Sequence, residues 1–187
     1  FDHLELSDKL VADLKKGEYI KVNEEACTVR KVLKTGDALK ILIAETEESN
    51  IEPVRGELDI LYEDEDIIAV NKPANMPTHP TKYHLTDTIA NLVCGHLGKD
   101  FVFRAVNRLD KDTTGVVLIA KNRYSAEMLN KQIRSKEIKK TYMAICCGVL
   151  NENGTIEEPI KKETERGIKR IVSPDGQYAK TEYFPIK

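Results

Sequence analysis

An arginine and an aspartate stand two residues apart in the run from Ala105 to Asn122, directly before an apolar segment. If the backbone is extended here, Arg108 and Asp110 project to one face and Leu109 turns toward the core. A nearby cation lowers the pKa of an aspartate below its reference value of about 3.9. The pair therefore predicts an ionised carboxylate suited to nucleophilic attack or proton abstraction, although a surface ion pair would have the same sequence.

Two other aspartate chemistries are compatible with parts of this run. The Asp-x-Asp-x-Thr spacing that starts at Asp110 opens a calcium-binding EF-hand loop, but the twelfth position is Lys121 instead of a bidentate glutamate. The same order occurs in haloacid-dehalogenase-like enzymes, which form an aspartyl phosphate with bound magnesium. That chemistry needs a buried parallel strand ending at the first aspartate, whereas Arg104 and Arg108 interrupt the run. Phosphoryl transfer is therefore the less favoured alternative.

The elements that would position these residues belong to the larger of two parts of the chain. An acidic stretch with proline and glycine, residues 44–56, separates the two parts. In the small first part, a helix end at residues 9–14 precedes short strands. A small part of this kind can be a purely structural β cap.

The second part alternates strands and helices without the regular order of a parallel sheet. Strands are predicted at residues 60–63 and 67–71, and a threonine-capped helix follows from residue 89. A second helix is predicted over residues 123–135, with apolar side chains at helical spacing, and a strand over residues 138–147. The predicted class is α+β, with a mixed, mostly antiparallel sheet flanked by helices and a small N-terminal part.

Composition agrees with an ordinary soluble enzyme domain of 187 residues, 41% hydrophobic and 32% charged. No apolar run approaches the roughly 20 residues needed to span a membrane, so a cytoplasmic location is expected. The cysteines lack metal-binding spacing and are expected to be reduced, small core residues. These are Cys27, Cys94, Cys146 and Cys147.

The charge distribution is more informative than the total. The formal net charge of −2 does not favour binding to phosphates. Residues 104–140, however, hold ten bases and four acids, so the basic surface is expected around the reactive run. A solvated helix face would look similar, so this feature alone favours RNA only slightly.

Four ordered motifs resemble those of the RluA/RluD-type RNA pseudouridine synthases. The signature His/Asn-Arg-Leu-Asp-x-x-Thr-Ser/Thr-Gly is similar to residues 107–115, and the apolar segment after it ends in Ala-Lys in both. Upstream, residues 61–80 resemble the family's strand, Lys-Pro and proline-rich loop. Downstream, residues 140–144 resemble its Lys-x-Tyr-x-Ala strand, and the glycines and prolines of residues 154–181 follow its later spacing. Ordered motifs are a stronger signal than one short match.

The resemblance implies isomerisation of uridine to pseudouridine in structured RNA, ribosomal or transfer, without cofactor or metal and without a membrane partner. Asp110 would be the essential carboxylate, Arg108 would occupy the space left by a flipped nucleotide, and Tyr142 would lie against the target uridine. The residues expected to contact RNA are Lys72, His79, Asn107, Thr114 and Lys140. The second hypothesis is an RNA-binding protein without catalysis.

The resemblance also implies a domain organisation. Residues 1–50 would form a partial ribosomal-protein-type RNA-binding module, and residues 57–187 a pseudouridine synthase catalytic domain. The family's later Thr-Gly-Arg-Thr-His-Gln-Ile-Arg segment has no counterpart before Lys187. The catalytic domain is therefore expected to be incomplete at its C-terminal side, and these residues alone are expected to be inactive or weakly active.

Overall fold

The structure is a computed structural model that describes residues 6–17, 19–165, 167 and 169–186. The chain divides into two units, residues 1–139 and 140–187. The described elements of the first unit are α1 (Asp8–Leu14), β1 (Ile20–Val22), β2 (Glu25–Ala26), β3 (Leu39–Ile41), β4 (Ile60–Glu63), β5 (Ile67–Lys72), α2 (Ile89–Leu97), β6 (Arg104–Ala105), β7 (Gly115–Ala120) and α3 (Arg123–Arg134). Those of the second are β8 (Gly154–Glu157), β9 (Ile160–Lys162), β10 (Arg170–Val172) and β11 (Lys180–Tyr183).

The main sheet of the first unit has the order β4-β5-β7-β6, with antiparallel neighbours. Its centre is the pairing of β5 with β7, in which Ile68 lies opposite Ile119 and Val70 opposite Val117. All four side chains are fully buried. Alternate residues of a strand share one face, so these apolar positions make one continuous core surface. Burying each such side chain contributes about 1.5–3 kcal/mol.

Helix α2 covers this core and begins at a capping box. Thr88 accepts a hydrogen bond from the Asn91 backbone, and the Asn91 side chain accepts one from the Thr88 backbone. Ile89 and Val93 join the strands in one hydrophobic cluster. A threonine cap of this kind stabilises a helix by about 0.5–2 kcal/mol. The predicted capped helix is confirmed.

Helix α3 begins where the chain leaves β7, and a carboxylate holds this junction. Asn122 is the N-cap and accepts a hydrogen bond from the Ser125 backbone at 2.8 Å. Asp66, in the turn between β4 and β5, accepts bonds from the Asn122 amide and the Ser125 hydroxyl, each at 2.7 Å. The predicted second helix is confirmed, ending at Arg134.

The small first part forms a three-stranded antiparallel sheet, β2-β1-β3, beside α1. Leu10, Leu14, Ile20 and Val22 form its buried apolar interior. The predicted helix and short strands are therefore confirmed.

The second unit contains two antiparallel ladders, β8 with β11 and β9 with β10. The predicted strand over residues 138–147 is wrong: this segment is irregular, and most of its apolar side chains, including Ile145, are exposed. A strand needs a neighbour for its N–H and C=O groups, and the described residues supply none here. The expectation that all cysteines are core residues also fails, because Cys146 and Cys147 are exposed and Cys94 alone is buried. The α+β class is confirmed.

Candidate active site

Asp110 lies in a turn between β6 and β7. Its carbonyl accepts a hydrogen bond from the Thr113 backbone at 3.1 Å, which closes the turn. Leu109 points inward and is 9% exposed, as the sequence predicts, whereas Asp110 is exposed. The Asp110 carboxylate makes no hydrogen bond or ion pair with any residue that the structure describes. An accessible carboxylate on an anchored backbone is available to a substrate.

The expected ion pair between Arg108 and Asp110 is not formed within the described part of the chain. Residues 108–110 are irregular instead of extended in a strand, because β6 ends at Ala105 and the backbone starts to turn. Both side chains are exposed. Without a partner among the described residues, each of the two charges stays available to a ligand.

His79 lies near this turn in the loop between β5 and α2. Its ring meets the edge of Phe103 with the ring centroids 5.0 Å apart. Burial lowers the pKa of His79, and the Arg108 charge lowers it further. The imidazole is therefore neutral at pH 7, and any contact it makes with RNA depends on hydrogen bonding or stacking instead of charge.

Asn107 holds the start of the turn to β7. Its side-chain nitrogen donates to the Val116 carbonyl at 3.0 Å, and its oxygen accepts from the Leu118 backbone at 2.8 Å. The side chain thus continues the pairing of β6 with β7 beyond the last strand residue. Asn107 therefore positions the turn, and because its amide keeps a second N–H and a second lone pair, its RNA contact stays a prediction.

Lys72 ends β5 and is fully buried, with 0% of the residue exposed. Its ammonium group donates to the carbonyls of Pro73, Met76 and Lys111 at 2.9, 2.6 and 2.8 Å. Three bonds use every proton of an ammonium group. Burial lowers the pKa of Lys72, while the Asp112 and Asp110 carboxylates oppose this shift. The expected direct contact of Lys72 with RNA is therefore wrong, because no proton of the ammonium group is free.

Strand alternation contained the signal for this burial. Ile68, Val70 and Lys72 have the same parity in β5, and the first two are core residues. Alternation places the third on the same buried face. Thr78, which the sequence analysis missed, is also buried, and its hydroxyl bonds the Leu109 backbone. No spacing within Pro77-Thr-His-Pro80 indicated that contact.

One family of known proteins matches the part of the chain that contains the Asp110 turn. The profile described as RNA pseudouridylate synthase matches residues 66–187, which include every element of the Asp110 turn. The chain belongs to the RNA pseudouridylate synthase family. The expected resemblance is thereby confirmed.

Relatives in this family cover most of the chain. An uncharacterised RNA pseudouridine synthase of Bacillus subtilis is 39% identical over 184 residues, which are 96% of this chain and 61% of the relative. The ribosomal large subunit pseudouridine synthase D of Escherichia coli K12 is 36% identical over 166 residues, 87% of this chain and 51% of the relative. The chain thus spans about half to three fifths of the length of these relatives.

A solved structure with the same fold is human RNA pseudouridylate synthase domain containing 1. Its TM-score is 0.50 at 21% identity, over 71% of this chain and 52% of that one. At this identity the similarity concerns the fold alone.

Two residues that the pseudouridylate synthase motifs single out lie in the second unit. Tyr142 and Lys140 are both exposed there, in the irregular segment before β8. Thr114 lies in the first unit and is exposed directly before Gly115, whose φ of +122° favours glycine. The roles of Tyr142, Lys140 and Thr114 stay predictions.

Some of the basic side chains expected around the site form ion pairs within the protein. Arg104 donates to Glu45 at 2.6 Å, and Arg123 to Asp13 at 2.5 Å. Lys121 pairs with Glu63 at 3.0 Å. At least three of the ten bases counted over residues 104–140 are thus engaged. Two of these bind carboxylates within residues 1–50, Glu45 and Asp13, so the sequence count overstates the positive surface.

The described residues contain no group of three or more His, Cys, Asp or Glu side chains arranged to hold a metal ion. None of the helices in the described ranges has the length and apolar composition needed to cross a bilayer.

Proposed function

We propose that this protein isomerises uridine to pseudouridine in structured RNA, with Asp110 as the essential carboxylate. The observation that carries the proposal is the position of Asp110. Its backbone lies in an anchored turn of the family's signature motif, and its carboxylate is exposed with no partner among the described residues. A nucleophile or base needs both properties, since it must be positioned and must still have free lone pairs.

The chemistry needs no co-substrate, because product and substrate have the same atoms. The bond between uracil N1 and the ribose C1′ breaks, the base rotates, and C5 bonds to C1′ while the C5 proton is lost and N1 is protonated. Asp110 would attack C1′ or C6, or remove the 2′ proton. These three routes share one requirement, an ionised carboxylate against the sugar and base.

Other residues have proposed parts in this reaction. A base inside a helix must be flipped out at a cost of a few kcal/mol, and the exposed Arg108 would fill the vacated space or contact a phosphate. Tyr142 would stack on the uracil. Thr114, Lys140 and the neutral His79 would contact the RNA strand.

Large-subunit ribosomal RNA is the proposed substrate, because several relatives carry that specificity in their names. Transfer RNA is the alternative substrate, and the cytoplasm is the proposed location. A loop or bulge is the expected target structure, because its bases are already unstacked.

The test uses the protein at its full native length. Ribosomal and transfer RNA from cells with and without the gene are treated with carbodiimide, and modified uridines are mapped by primer extension. The proposal expects at least one site that is lost with the gene and restored by purified protein. A set of sites identical in both strains would contradict it.

The Asp110→Asn variant separates catalysis from binding. The proposal expects this variant to bind the same RNA and to leave the mapped uridine unmodified. If Asp110→Asn restores the modification fully, Asp110 is not the essential carboxylate. If wild-type protein binds RNA but adds no pseudouridine, the protein binds RNA without catalysis.

A further inference from the structure

Two buried side chains on and beside the β5–α2 loop bind the backbone on both sides of Asp110. We infer that Thr78 and Lys72 are positioning residues, which fix the Asp110 turn without touching the substrate. This inference rests on the proposed function of Asp110 and adds the device that orients its carboxylate.

Thr78 acts on the residue before Asp110. Its hydroxyl donates to the Leu109 carbonyl at 3.0 Å and accepts from the Leu109 backbone N–H at 3.3 Å. Thr78 is 4% exposed and Leu109 is 9% exposed, so water cannot easily replace these bonds. One hydroxyl thus satisfies both the N–H and the C=O group of Leu109.

Lys72 acts on the residue after Asp110. Its ammonium group bonds the Lys111 carbonyl at 2.8 Å and, on the other side, the carbonyls of Pro73 and Met76. Hydrogen bonds to charged groups are stronger than neutral ones. Lys72 is also the last residue of β5, paired with Gly115 of β7, so the ammonium group is anchored in the main sheet.

The two contacts leave little freedom for the backbone of Asp110. Leu109 and Lys111 are both held, and the bond from Thr113 to the Asp110 carbonyl closes the turn. Reacting atoms must meet within about 3–3.5 Å with aligned orbitals, and misplacement by about 1 Å can cost about 100-fold in rate. We call these bonds of Thr78 and Lys72 the clamp. The clamp orients the exposed carboxylate, which has no bond of its own to a described residue.

A positioning role for Thr78 predicts an effect on kcat without an effect on KM. Thr78 is buried and does not face RNA, so its loss should slow the chemical step and leave RNA binding unchanged. In Thr78→Val both hydrogen bonds to Leu109 are lost and the side-chain volume is nearly kept. We expect kcat to fall about 10- to 100-fold and KM to change less than about 3-fold. Thr78→Ser keeps the hydroxyl, and its kcat should return to within about 3-fold of wild type.

The matched control is Thr86→Val, which changes an exposed threonine of the same loop. Its kcat and KM should equal those of the wild type. Each variant is assayed well below its own unfolding midpoint, so a stability loss does not mimic a rate loss. A folded Thr78→Val with wild-type kcat would overturn the inference. So would an effect confined to KM, or a Thr78→Ser variant as slow as Thr78→Val.

Hydrogen exchange of the wild-type protein gives a readout that needs neither a variant nor activity. The clamp requires slow exchange at the Leu109 amide, in contrast to the neighbouring amides of exposed turn residues. Fast exchange at Leu109 would overturn the clamp even if Thr78→Val fails to fold. If wild-type protein forms no pseudouridine while Leu109 is protected, the proposed function fails and the clamp stands as a structural device.

Discussion

Two turns of the main sheet carry aspartates, and they use them in opposite ways. In the turn between β4 and β5, Asp64 accepts hydrogen bonds from the backbones of Asp66 and Ile67, each at 2.8 Å. Asp66 accepts from two side chains at the start of α3. In the turn before β7, the Asp110 carboxylate has no partner among the described residues, and neighbouring side chains hold the backbone.

The difference separates structural carboxylates from reactive ones. Bonds from N–H groups lower the pKa of Asp64, because they favour the charged form. Those bonds also occupy its lone pairs. Asp110 keeps its lone pairs because its turn is held by other side chains: Thr78 and Lys72 bond the neighbouring backbone, and Asn107 bonds β7. A carboxylate without a partner among the described residues, on a held backbone, thus distinguishes Asp110 from Asp64 and Asp66.

The largest expected effect comes from removing the free carboxylate. In Asp110→Ala, turnover should fall at least about 1,000-fold, because the group that attacks the substrate or takes its proton is lost. The free energy of unfolding should change by less than about 0.5 kcal/mol, since no bond within the described protein is lost. Single-turnover assays and urea unfolding measure the two quantities. A large stability loss would show that Asp110 is structural after all.

The next effect concerns the free guanidinium group. Arg108→Gln should weaken RNA binding about 10-fold. The slope of log binding constant against log salt concentration, the salt slope, should fall by about one phosphate contact. The matched variant is Arg104→Gln, whose guanidinium group already binds Glu45 and Glu47. It should leave the salt slope nearly unchanged. Filter binding across a salt series checks both variants, and equal slopes for the two would contradict the distinction between free and engaged arginines.

For the turn between β4 and β5 we expect the opposite result, a loss of stability without a loss of turnover. Asp66→Ala removes two hydrogen bonds at the start of α3 and should lower the free energy of unfolding by about 1–2 kcal/mol. Turnover below the unfolding midpoint should stay at the wild-type level. Chemical unfolding and single-turnover assays give the result. A rate loss comparable to that of Asp110→Ala would abolish the contrast between the two turns.

The smallest effect is a pH dependence of stability. The pKa of His79 is lowered in the folded protein, so protonation favours the unfolded chain, whose histidine titrates at about 6.5. Its contribution is fully present above about pH 6.5 and is lost as pH falls through the folded pKa. His79→Phe keeps the contact with Phe103 and should show a smaller stability loss in that window. Thermal unfolding from pH 7.5 to 5 compares the two proteins, and parallel curves would contradict the assignment.

Local pattern predicted the two larger helices and part of the main sheet. Helix α2 followed from its threonine cap, α3 from its apolar spacing, and β4 and β5 from short apolar segments. The same pattern failed over residues 138–147, because strand propensity does not supply a partner strand. Sequence reports the tendency to pair, while the fold decides whether a neighbour is present.

The candidate site was predictable in its residue types and less so in its contacts. The signature placed Asp110 and Arg108 together, yet the ion pair between them is absent from the described structure. Lys72 was expected to bind RNA and is instead buried against backbone carbonyls, while Asn107, whose RNA contact stays a prediction, bonds backbone groups. Such contacts join segments about 40 and 10 residues apart, Lys72 with Lys111 and Asn107 with Val116, and no local spacing encodes the longer one.

The ion pairs of Arg104 with Glu45 and of Arg123 with Asp13 make carboxylates of residues 1–50 the counterions of two arginines further along the chain. Deleting residues 1–50 would unmask two guanidinium groups at once. The shortened protein should adhere more strongly to any polyanion, heparin included, while discriminating less between RNAs. Retention on a heparin column, compared with that of the intact chain, measures this loss of selectivity.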